Sequence, residues 1–599
     1  MTGICGWIDS RAEAGGAPAA LSAMAARLGP VELASSGEVA DGAAAAFRSR
    51  RSGTGAVRIG DLLVAIDGRP RWRDRALAAL ADSKGHPEAL AEAYRRDGDG
   101  LLDGLFGDFS LAVLDTARNR ALLAIDRVGI GRLYYARPDG GGLAFASTAD
   151  AVAAHPGVRA TLSEQGIYEY LFFYYSPAPG TIYREQTKLS AGERLVYEAG
   201  AARTEPYWRM PYSDTTDIPA DELSETLRHK MKSAVERTVG DGEHDRVGAF
   251  LSGGLDSSTV SGLLNEAVPD PVKCFTIGFD EPGYDEMEYA ALTARHFGAT
   301  HYPYYVTQED LLDVIPRIAA AYDEPFGNSS AVPAYICARH ARENGVDIMI
   351  AGDGGDELFA GNERYISYDI YERYNRLPGA LRKGLVEPAV RLLSSVTDNV
   401  VLRKGRNFLR TANTPMPDRM MAFVPFFTTP PEDVFEPDFV AAINPRGPID
   451  GLREIFERTP SPDLVQRMMH IDLQRTLADS DLLKVGRMCE IAGIEVRYPF
   501  LDDDLVTFSA GIPGPVLLVG GALRGFYKNA YRDFLAPETI SKPKQGFGLP
   551  TVKWMRGSAD MLDLVCDGIE SFARRGYMRK GFCQLMIQSL VEGGSPYLS

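Results

Sequence analysis

A glycine- and serine-rich segment near the middle of the chain carries the strongest chemical signal. It spans residues 251–258 and reads LSGGLDSS, between a predicted strand and a predicted helix. Its glycines let backbone N–H groups approach an anion, while the serine hydroxyls and the helix N-terminus add hydrogen-bond donors and a positive dipole. Asp256 is then placed to hold a magnesium ion against phosphate groups. The segment lacks lysine, so it is not a Walker A loop and does not predict γ-phosphoryl transfer.

A second segment, residues 351–361 (AGDGGDELFAG), supports the same interpretation. It follows a predicted strand and sets three acidic side chains, Asp353, Asp356 and Glu357, among four glycines. Loops at the carboxyl ends of neighbouring parallel strands share one crevice, so Asp356 is expected to meet Asp256 across one magnesium ion. The alternatives are a tight turn that binds nothing at residues 251–258 and a solvated acidic turn here. The glycines favour close backbone approach instead.

The elements around these segments alternate between strands and helices. The predicted strands are residues 246–251, 274–279 and 347–351. The predicted helices are residues 257–266, 285–297, 311–322 and 332–344. This βαβ order predicts a parallel sheet with helices on both faces, followed from about residue 364 by a mainly helical region.

The first two hundred residues have a different, β-rich pattern. Short apolar or alternating runs at 61–66, 107–114 and 121–125 predict strands, and 86–95 has the spacing of an amphipathic helix. A stretch rich in Pro, Asp and Thr at 207–219 separates this pattern from a helix starting near Asp221. We therefore predict an α/β protein with two domains, an α+β domain over residues 1–210 and a parallel-sheet domain over residues 211–599.

Composition excludes several classes of partner and site. A chain of 599 residues is too long for a single hydrophobic core, so more than one domain is expected. The net charge of −17 argues against a nucleic-acid or membrane-surface binder, because both partners are polyanionic. Six cysteines without a CxxC pair predict neither disulfides nor structural zinc. The sequence shows no signal peptide and no apolar run long enough to cross a bilayer, so the expected location is the cytoplasm.

Read together, these segments resemble the synthetase domain of asparagine synthetase, and residues 251–258 resemble the pyrophosphate loop of the ATP pyrophosphatases. The resemblance covers nearly the whole chain. Further matching strings occur in order at 323–327 (DEPFG), 483–488 (LKVGRM), 495–502 (EVRYPFLD) and 542–548 (KPKQGFG). The family implies that a carboxylate attacks the α-phosphorus of ATP, giving an acyl-adenylate and pyrophosphate, and that an amine then displaces AMP.

The resemblance also implies roles for individual residues. Asp256 and Asp356 would hold Mg²⁺, Asp353 would lie beside the acyl-adenylate, and Lys544 would stabilise charge on the pyrophosphate and the tetrahedral intermediate. The acid at position 353 resembles the residue that ammonia-using enzymes have there. The β-lactam-forming relatives place Tyr at this position, and the lasso-peptide cyclases often place His. The residues expected to bind ATP are Leu251, Ser252, Gly253, Gly254, Asp256, Ser257, Ile277, Ala351 and Gly352.

The N-terminal half resembles a class II glutamine amidotransferase domain, an N-terminal-nucleophile hydrolase with an αββα sandwich. The family frame M-C-G-I-x-G places Thr2 where its nucleophilic Cys stands, and Cys5, at a variable position, is expected to be a buried strand residue. The family's N-G-E string becomes DGR at 67–69, and His86 replaces the Asp that would hold the amine of glutamine. The R-H-R-G-P-D string is reduced to ARLGPV at 26–31.

These changes predict that the glutaminase is lost, although Thr2 could in principle act as a nucleophile with its own amine as base. The domain would be retained for packing against the synthetase half.

The predicted function is ATP-dependent amidation of a carboxylate, with aspartate as the default acceptor and ammonia or another amine as donor. A biosynthetic amide synthetase that uses a substrate amine, for lactam or lasso-type ring closure or between two molecules, is the alternative enzyme. A pseudoenzyme that only binds partners would predict decayed nucleotide loops. The expected partners are a small-molecule or peptide carboxylate and an amine donor; the oligomeric state is left open, with a homodimer as one candidate.

Overall fold

The computed structural model describes residues 2–9, 17–29, 34–40, 42–49, 51, 53–240, 242–396, 400–543 and 548–592. The strands are β1 (Gly3–Ile8), β2 (Ala34–Ala40), β3 (Ala43–Ser49), β4 (Gly55–Ile59), β5 (Leu62–Gly68), β6 (Arg71–Trp72), β7 (Leu105–Phe106), β8 (Phe109–Asp115), β9 (Arg120–Ile125), β10 (Tyr134–Ala136), β11 (Leu143–Ala146), β12 (Gln186–Lys188), β13 (Glu193–Glu198), β14 (Ala201–Pro206), β15 (Val247–Phe250), β16 (Lys273–Gly278), β17 (Thr300–Tyr305), β18 (Ile348–Ile350) and β19 (Glu495–Arg497).

The α-helices are α1 (Ala17–Ala26), α2 (Arg75–Lys84), α3 (His86–Asp97), α4 (Ala149–Ala153), α5 (Glu164–Phe173), α6 (Ala220–Thr238), α7 (Leu255–Ala267), α8 (Met287–Phe297), α9 (Gln308–Ala321), α10 (Ala331–Glu343), α11 (Gly355–Leu358), α12 (Arg364–Asn375), α13 (Gly379–Leu381), α14 (Glu387–Val396), α15 (Val400–Asn413), α16 (Pro425–Thr428), α17 (Pro431–Val434), α18 (Pro437–Ala442), α19 (Gly447–Arg458), α20 (Leu464–Ile471), α21 (Leu482–Ile491), α22 (Asp503–Ala510), α23 (Gly514–Leu517), α24 (Gly525–Ala530), α25 (Pro537–Ser541), α26 (Thr551–Gly557), α27 (Ala559–Ala573) and α28 (Lys580–Glu592). A π-helical stretch, Asp472–Asp481, joins α20 to α21.

The N-terminal half is a sandwich of two antiparallel sheets. Their strand orders are β12-β10-β11-β1-β3-β2 and β14-β13-β9-β8-β5-β4. Strand β5 shows how the layers form, because Leu63 and Ala65 pack between the sheets while Val64 and Ile66 face α3 on the outside. Helices α1 and α4 cover the outer face of the other sheet. The predicted αββα sandwich is confirmed.

The C-terminal half is built on a parallel sheet of order β17-β16-β15-β18-β19. Helices α7 and α8 pack on β15 and β16, and α10 packs on β16. The chain moves outward from β15 to β16 and β17, then returns to the other side of β15 for β18 and β19. The chain therefore changes direction across the sheet at β15, which leaves a switch point between β15 and β18. The predicted parallel-sheet domain is therefore confirmed.

Two strands of this sheet were missed by the sequence analysis. Strand β17 contains Pro303, and β19 is a three-residue edge strand whose Arg497 Nε lies 2.8 Å from Glu495 Oε1. Charges and short length are common at sheet edges, where they hide the apolar pattern of a strand. The division at residue 210 stays a prediction, although β14 ends at Pro206 and α6 begins at Ala220.

Five of the six cysteines are buried. All six cysteines are free thiols in the described structure, and Cys5 is fully buried in β1. Burial raises the pKa of the Cys5 thiol to about 12, so this side chain is not a nucleophile. Within the described ranges, every helix is too short or too polar to cross a membrane.

A buried turn after β9 joins the two halves. The carboxylate of Asp126 accepts hydrogen bonds from the backbone N–H groups of residues 128, 129, 130 and 131 at 2.6–3.1 Å. The next residue, Arg127, donates from Nη1 to Asp503 Oδ1 at 3.1 Å, and Arg132 Nη2 donates to the carbonyl of Ala478 at 3.2 Å. The single carboxylate therefore holds the loop that contacts the C-terminal half.

We predict that Asp126→Ala lowers the free energy of unfolding by at least about 3 kcal/mol, since it leaves several buried N–H donors without an acceptor. Asp126→Asn keeps one acceptor oxygen and should lose less. Urea-unfolding midpoints measure both, with the exposed Asp103→Ala as a control expected to change stability by less than about 0.5 kcal/mol. Equal stability of Asp126→Ala and Asp103→Ala would contradict this account of the turn.

Candidate active site

The loop between β15 and α7, the serine loop, is shaped by its serines and one glycine. Ser252 N–H donates to Ser257 Oγ at 3.1 Å, and the two hydroxyl oxygens lie 3.0 Å apart. Gly253 has φ +68°, and a Cβ there would lie 2.6 Å from the backbone of α8 at Ala290. Only glycine fits this position. The loop therefore presents two serine hydroxyl groups and the positive end of a 13-residue helix to the crevice, as an anion site requires.

The acidic loop after β18 meets this first loop directly. A Cβ on Gly355 would collide with the carboxylate of Asp256, and a Cβ on Gly361 would collide with that of Asp356. Strands β15 and β18 are neighbours in the sheet, so both loops leave its carboxyl edge side by side. The glycines are thus required for close approach, which is the reason that the sequence predicted.

An arginine from a distant loop joins the two predicted metal ligands. Arg524 Nη1 donates to Asp256 Oδ2 at 2.6 Å and to Asp356 Oδ1 at 3.0 Å, and Nη2 donates to the other oxygen of Asp256. Arg524 is 3% exposed and has φ +56°, so surrounding structure fixes its backbone as well as its side chain. The sequence analysis missed this residue, because nothing near position 524 points to the loops.

The two aspartates fit a magnesium ion that is shared with phosphate groups. Both carboxylates converge on one nitrogen atom of Arg524, and Mg²⁺ usually takes one or two protein carboxylates and completes its shell with water and substrate oxygens. A metal site formed by protein side chains alone would need a larger group of ligands. The described residues contain no cluster of three or more His, Cys, Asp or Glu with ligand geometry.

Both loops line a cavity of about 560 Å³ at the carboxyl edge of the sheet. This volume is in the usual range for a small-molecule site. Gly253 and Gly254 lie in the loop behind the wall, and Ala351 is buried beside it. Lys544 lies outside the described residues. The predicted site residues that line the cavity are Leu251, Ser252, Asp256, Ser257, Ile277, Gly352, Asp353 and Asp356.

The cavity is also lined by Lys484 and Asp481, which the sequence analysis did not assign to the site. Lys484 on α21 donates to Asp481 Oδ1 at 2.6 Å. Burial raises the pKa of Asp353 to about 6, against the opposing effect of the Lys484 charge. Burial and the charge of Asp356 raise the pKa of Glu357 well above its ordinary value. One buried lysine therefore faces several carboxyl groups, two of which bind protons more tightly than free acids do.

The KPKQGFG string reaches the first loop through Lys542. Its Nζ lies 2.8 Å from Glu286 Oε1 and 3.2 Å from the carbonyl oxygen of Ser252. Lys542 therefore supports the serine loop, a role that the sequence analysis did not give it. His301 Nε2 lies 2.9 Å from Thr276 Oγ1. The Thr276 hydroxyl donates to the carbonyl oxygen of Leu251 at 2.7 Å. His301 therefore supports the strand end beside the site through Thr276.

Thr2 lines a second space, of about 150 Å³, between the two halves. Thr2 N–H donates to Glu490 Oε1 on α21, and Glu490 Oε2 also lies 2.7 Å from Arg487 Nη1. Arg51 Nη1 lies 3.2 Å from Asp108 in the same space. The backbone nitrogen of Thr2 is thus engaged by a carboxylate of the synthetase half.

Comparisons with known proteins agree with this architecture. Residues 226–595, more than half of the chain, match the family model of asparagine synthase, and residues 74–208 match that of the glutamine amidotransferase domain. Asparagine synthetase [glutamine-hydrolyzing] 1 of Bacillus subtilis (strain 168) is 23% identical over 507 residues, which cover 84% of this chain and 76% of that protein. A putative asparagine synthetase [glutamine-hydrolyzing] of Mycobacterium tuberculosis is 25% identical over 494 residues, with 80% and 72% covered.

Among solved structures, glutamine phosphoribosylpyrophosphate amidotransferase from B. subtilis, in complex with ADP and GMP, covers 58% of this chain and 80% of that chain at 11% identity. Its TM-score of 0.25 is too low to support an argument. The family model and the sequence relatives are sufficient. The chain belongs to the asparagine synthase family of ATP-dependent amide ligases, and it is an asparagine synthetase-like enzyme with a glutamine amidotransferase-type N-terminal domain.

Proposed function

We propose that this chain adenylates a carboxylate with ATP and Mg²⁺ and transfers the acyl group to ammonia or another amine, without hydrolysing glutamine itself. One observation carries the proposal. The serine loop and the acidic loop converge on one cavity and on one buried arginine, which joins Asp256 to Asp356. Such an arrangement suits a pyrophosphate leaving group better than a γ-phosphoryl transfer, since the loop has no lysine.

In this proposal the protein groups act mainly by placing charge and excluding water. The hydroxyl groups of Ser252 and Ser257, which line the cavity, and the N-terminus of α7 would hold the pyrophosphate. Leu251, Ile277 and Gly352, which form the apolar side of the cavity, would contact the adenosine. Asp256 and Asp356 would hold Mg²⁺, which when bound neutralises negative charge on the phosphates. Lys544 is proposed to add a positive charge at the same group.

Asp353 is proposed to act on the incoming amine. Its pKa of about 6 makes it mostly ionised at neutral pH yet able to accept a proton, and Lys484 and Asp481 hold charges on either side of it. A carboxylate beside the acyl group can orient an ammonia or amine N–H and take up the proton released when the amide forms. Aspartate and ammonia are the default substrates because the acid at 353 resembles that of ammonia-using relatives.

Loss of glutaminase activity is proposed on independent grounds. Thr2 lies where the family has its nucleophilic Cys, and its N–H is hydrogen-bonded to Glu490. Cys5 is fully buried and cannot replace it. Because the nitrogen donor is then not fixed by this domain, an amine of the substrate itself is the second candidate, as in lactam or lasso-type ring closure.

The first test is a screen for pyrophosphate release from ATP by the purified chain, with carboxylates and amines varied independently. We expect carboxylate-dependent pyrophosphate release that does not require glutamine, and no glutamate from glutamine alone. Turnover with aspartate and ammonia would assign the default reaction, while turnover only with other carboxylate–amine pairs would assign the second candidate. Glutamate release that Thr2→Ala abolishes would refute the loss of glutaminase, and absence of any carboxylate-dependent release would refute the adenylation.

Arg524→Ala should reduce ATP–pyrophosphate exchange about a hundredfold or more, because removing one partner of a buried charge cluster costs about 3–5 kcal/mol. Raised Mg²⁺ should recover part of the exchange, since a divalent cation can replace the lost charge between Asp256 and Asp356. The exposed Arg532→Ala, on the same segment, is the matched control and should exchange normally. Normal exchange in Arg524→Ala would show that the arginine does not position the aspartates.

Asp353→Asn should leave ATP–pyrophosphate exchange largely intact and slow amide formation roughly a hundredfold or more. In the wild type, amide formation should rise as pH increases through about 6, because the ionised carboxylate is the active form. The variant should lack this rise. Rates of exchange and of amide formation between pH 5 and 8 make the comparison, with the exposed Asp438→Asn as control. An unchanged pH profile would exclude Asp353 from the amine step.

A further inference from the structure

A large cavity of about 910 Å³ lies between the N-terminal sandwich and the C-terminal sheet. It runs along edge strand β19 and includes Arg246 and Asp347, which immediately precede β15 and β18. It therefore reaches the amino ends of the parallel strands, whereas the nucleotide loops leave the carboxyl ends. Its volume would hold a metabolite-sized ligand.

The lining of this inter-domain cavity is rich in cations, although the chain as a whole carries a net charge of −17. Among the described residues, seven arginines and one histidine line it against five carboxylates. The arginines are Arg51, Arg69, Arg71, Arg237, Arg246, Arg342 and Arg497, and the carboxylates are Asp108, Glu243, Asp347, Glu495 and Asp502. Two of these arginines, Arg246 and Arg342, share the single carboxylate of Asp347.

Arg69 differs from the other arginines of this cavity in its contacts. Each of the other six arginines lies within 4.0 Å of an acidic oxygen. Arg69 makes no ion pair within the described ranges, and its side chain donates from Nη2 to the main-chain oxygen of Arg237 at 3.3 Å. Burial and the charge of Arg497 lower the pKa of Arg69, against the opposing charges of Asp108 and Glu495. An anionic ligand in direct contact would stabilise this half-buried guanidinium.

The backbone fixes Arg69 at the cavity wall. Gly68 has φ +129°, and a Cβ there would collide with the carbonyl oxygen of Asp108. Arg69 N–H donates to that same oxygen at 2.7 Å. On the other side of the cavity, Trp72 Nε1 donates to His86 Nδ1 at 3.2 Å, so the neutral imidazole carries its proton on Nε2. The two groups are thus held in place without a ligand.

We propose that this inter-domain cavity binds a small anion bearing carboxylate or phosphate groups, with Arg69 as its main partner. The proposal goes beyond the ligase function and is independent of it. Positions 69 and 86 are those at which related amidotransferase domains were expected to carry an acid and to hold a substrate amine. Arg69 reverses the charge there, so an ammonium group would be repelled and an anion without an amine would be favoured. Because both halves line the cavity, a bound anion would bridge them.

The test titrates the full chain with sodium phosphate or sodium succinate, against sodium chloride at equal ionic strength, and records the melting temperature. A ligand that binds the folded state gives a saturable rise in melting temperature. We expect saturation by at least one of the two anions and not by chloride. Saturation by phosphate alone or by succinate alone would assign the chemical class of the ligand.

Variants show whether Arg69 is responsible for the rise in melting temperature. Arg69→Gln should weaken the apparent affinity at least tenfold, and Arg69→Lys, which keeps the charge, should weaken it less. Arg58→Gln, an exposed arginine on β4, is the matched control and should bind as the wild type does. Ser252→Ala checks whether phosphate binds at the nucleotide loop instead. If Arg69→Gln does not fold, Arg69→Lys and the Arg58→Gln control still give the comparison.

Three results would overturn the proposal. The first is a response no greater than that to chloride, and the second is equal affinity in the wild type and the Arg69 variants. The third is a response that disappears in Ser252→Ala and persists in Arg69→Gln. Failure of carboxylate-dependent pyrophosphate release would leave this test intact, because the titration uses neither ATP nor an amine.

Discussion

The pairing of Asp256 and Asp356 through the guanidinium of Arg524 is the interaction on which the nucleotide site depends. Both carboxylates lie within 3.0 Å of the same nitrogen atom of Arg524, and without that positive charge they would repel each other. Arg524 removes that repulsion and fixes the two loops side by side. The glycines at 355 and 361 serve the same end, since any side chain there would displace a carboxylate. Charge pairing and close backbone contact therefore build one site from three distant segments.

Helix α21 connects this site to the N-terminal domain. Lys484 and Val485 line the nucleotide cavity, while Gly486, Arg487 and Glu490, on other faces of the helix, line the space that contains Thr2. A single rigid helix thus contacts both spaces within two turns. The N-terminal domain therefore contacts the helix that carries Lys484. Packing of this kind gives a physical reason to retain the domain whether or not it hydrolyses glutamine.

The DEPFG string illustrates how one motif can serve two purposes. Its acids face the N-terminal domain, where Glu324 Oε2 accepts from Tyr134 and lies 3.0 Å from Lys188 Nζ. Asp323 Oδ2 accepts from the backbone N–H of Ala149 at 2.7 Å. The following residues Asn328 and Ser330 line the nucleotide cavity. A string that looks like part of the active site is therefore also the junction between the halves.

The sequence by itself determined the fold class, three of the five strands of the parallel sheet with the helices between them, and the two loops, because these follow from periodicity and from turn residues that act over a few positions. Strands β17 and β19 escaped it, since a proline and edge charges mask their pattern. Only the tertiary structure decided that Arg524 meets residues 268 and 168 positions away, that Lys484 faces Asp353, and that Arg69 makes no ion pair among the described residues. Such contacts depend on how packed elements bring remote segments together, and a local sequence pattern does not encode which remote segments meet.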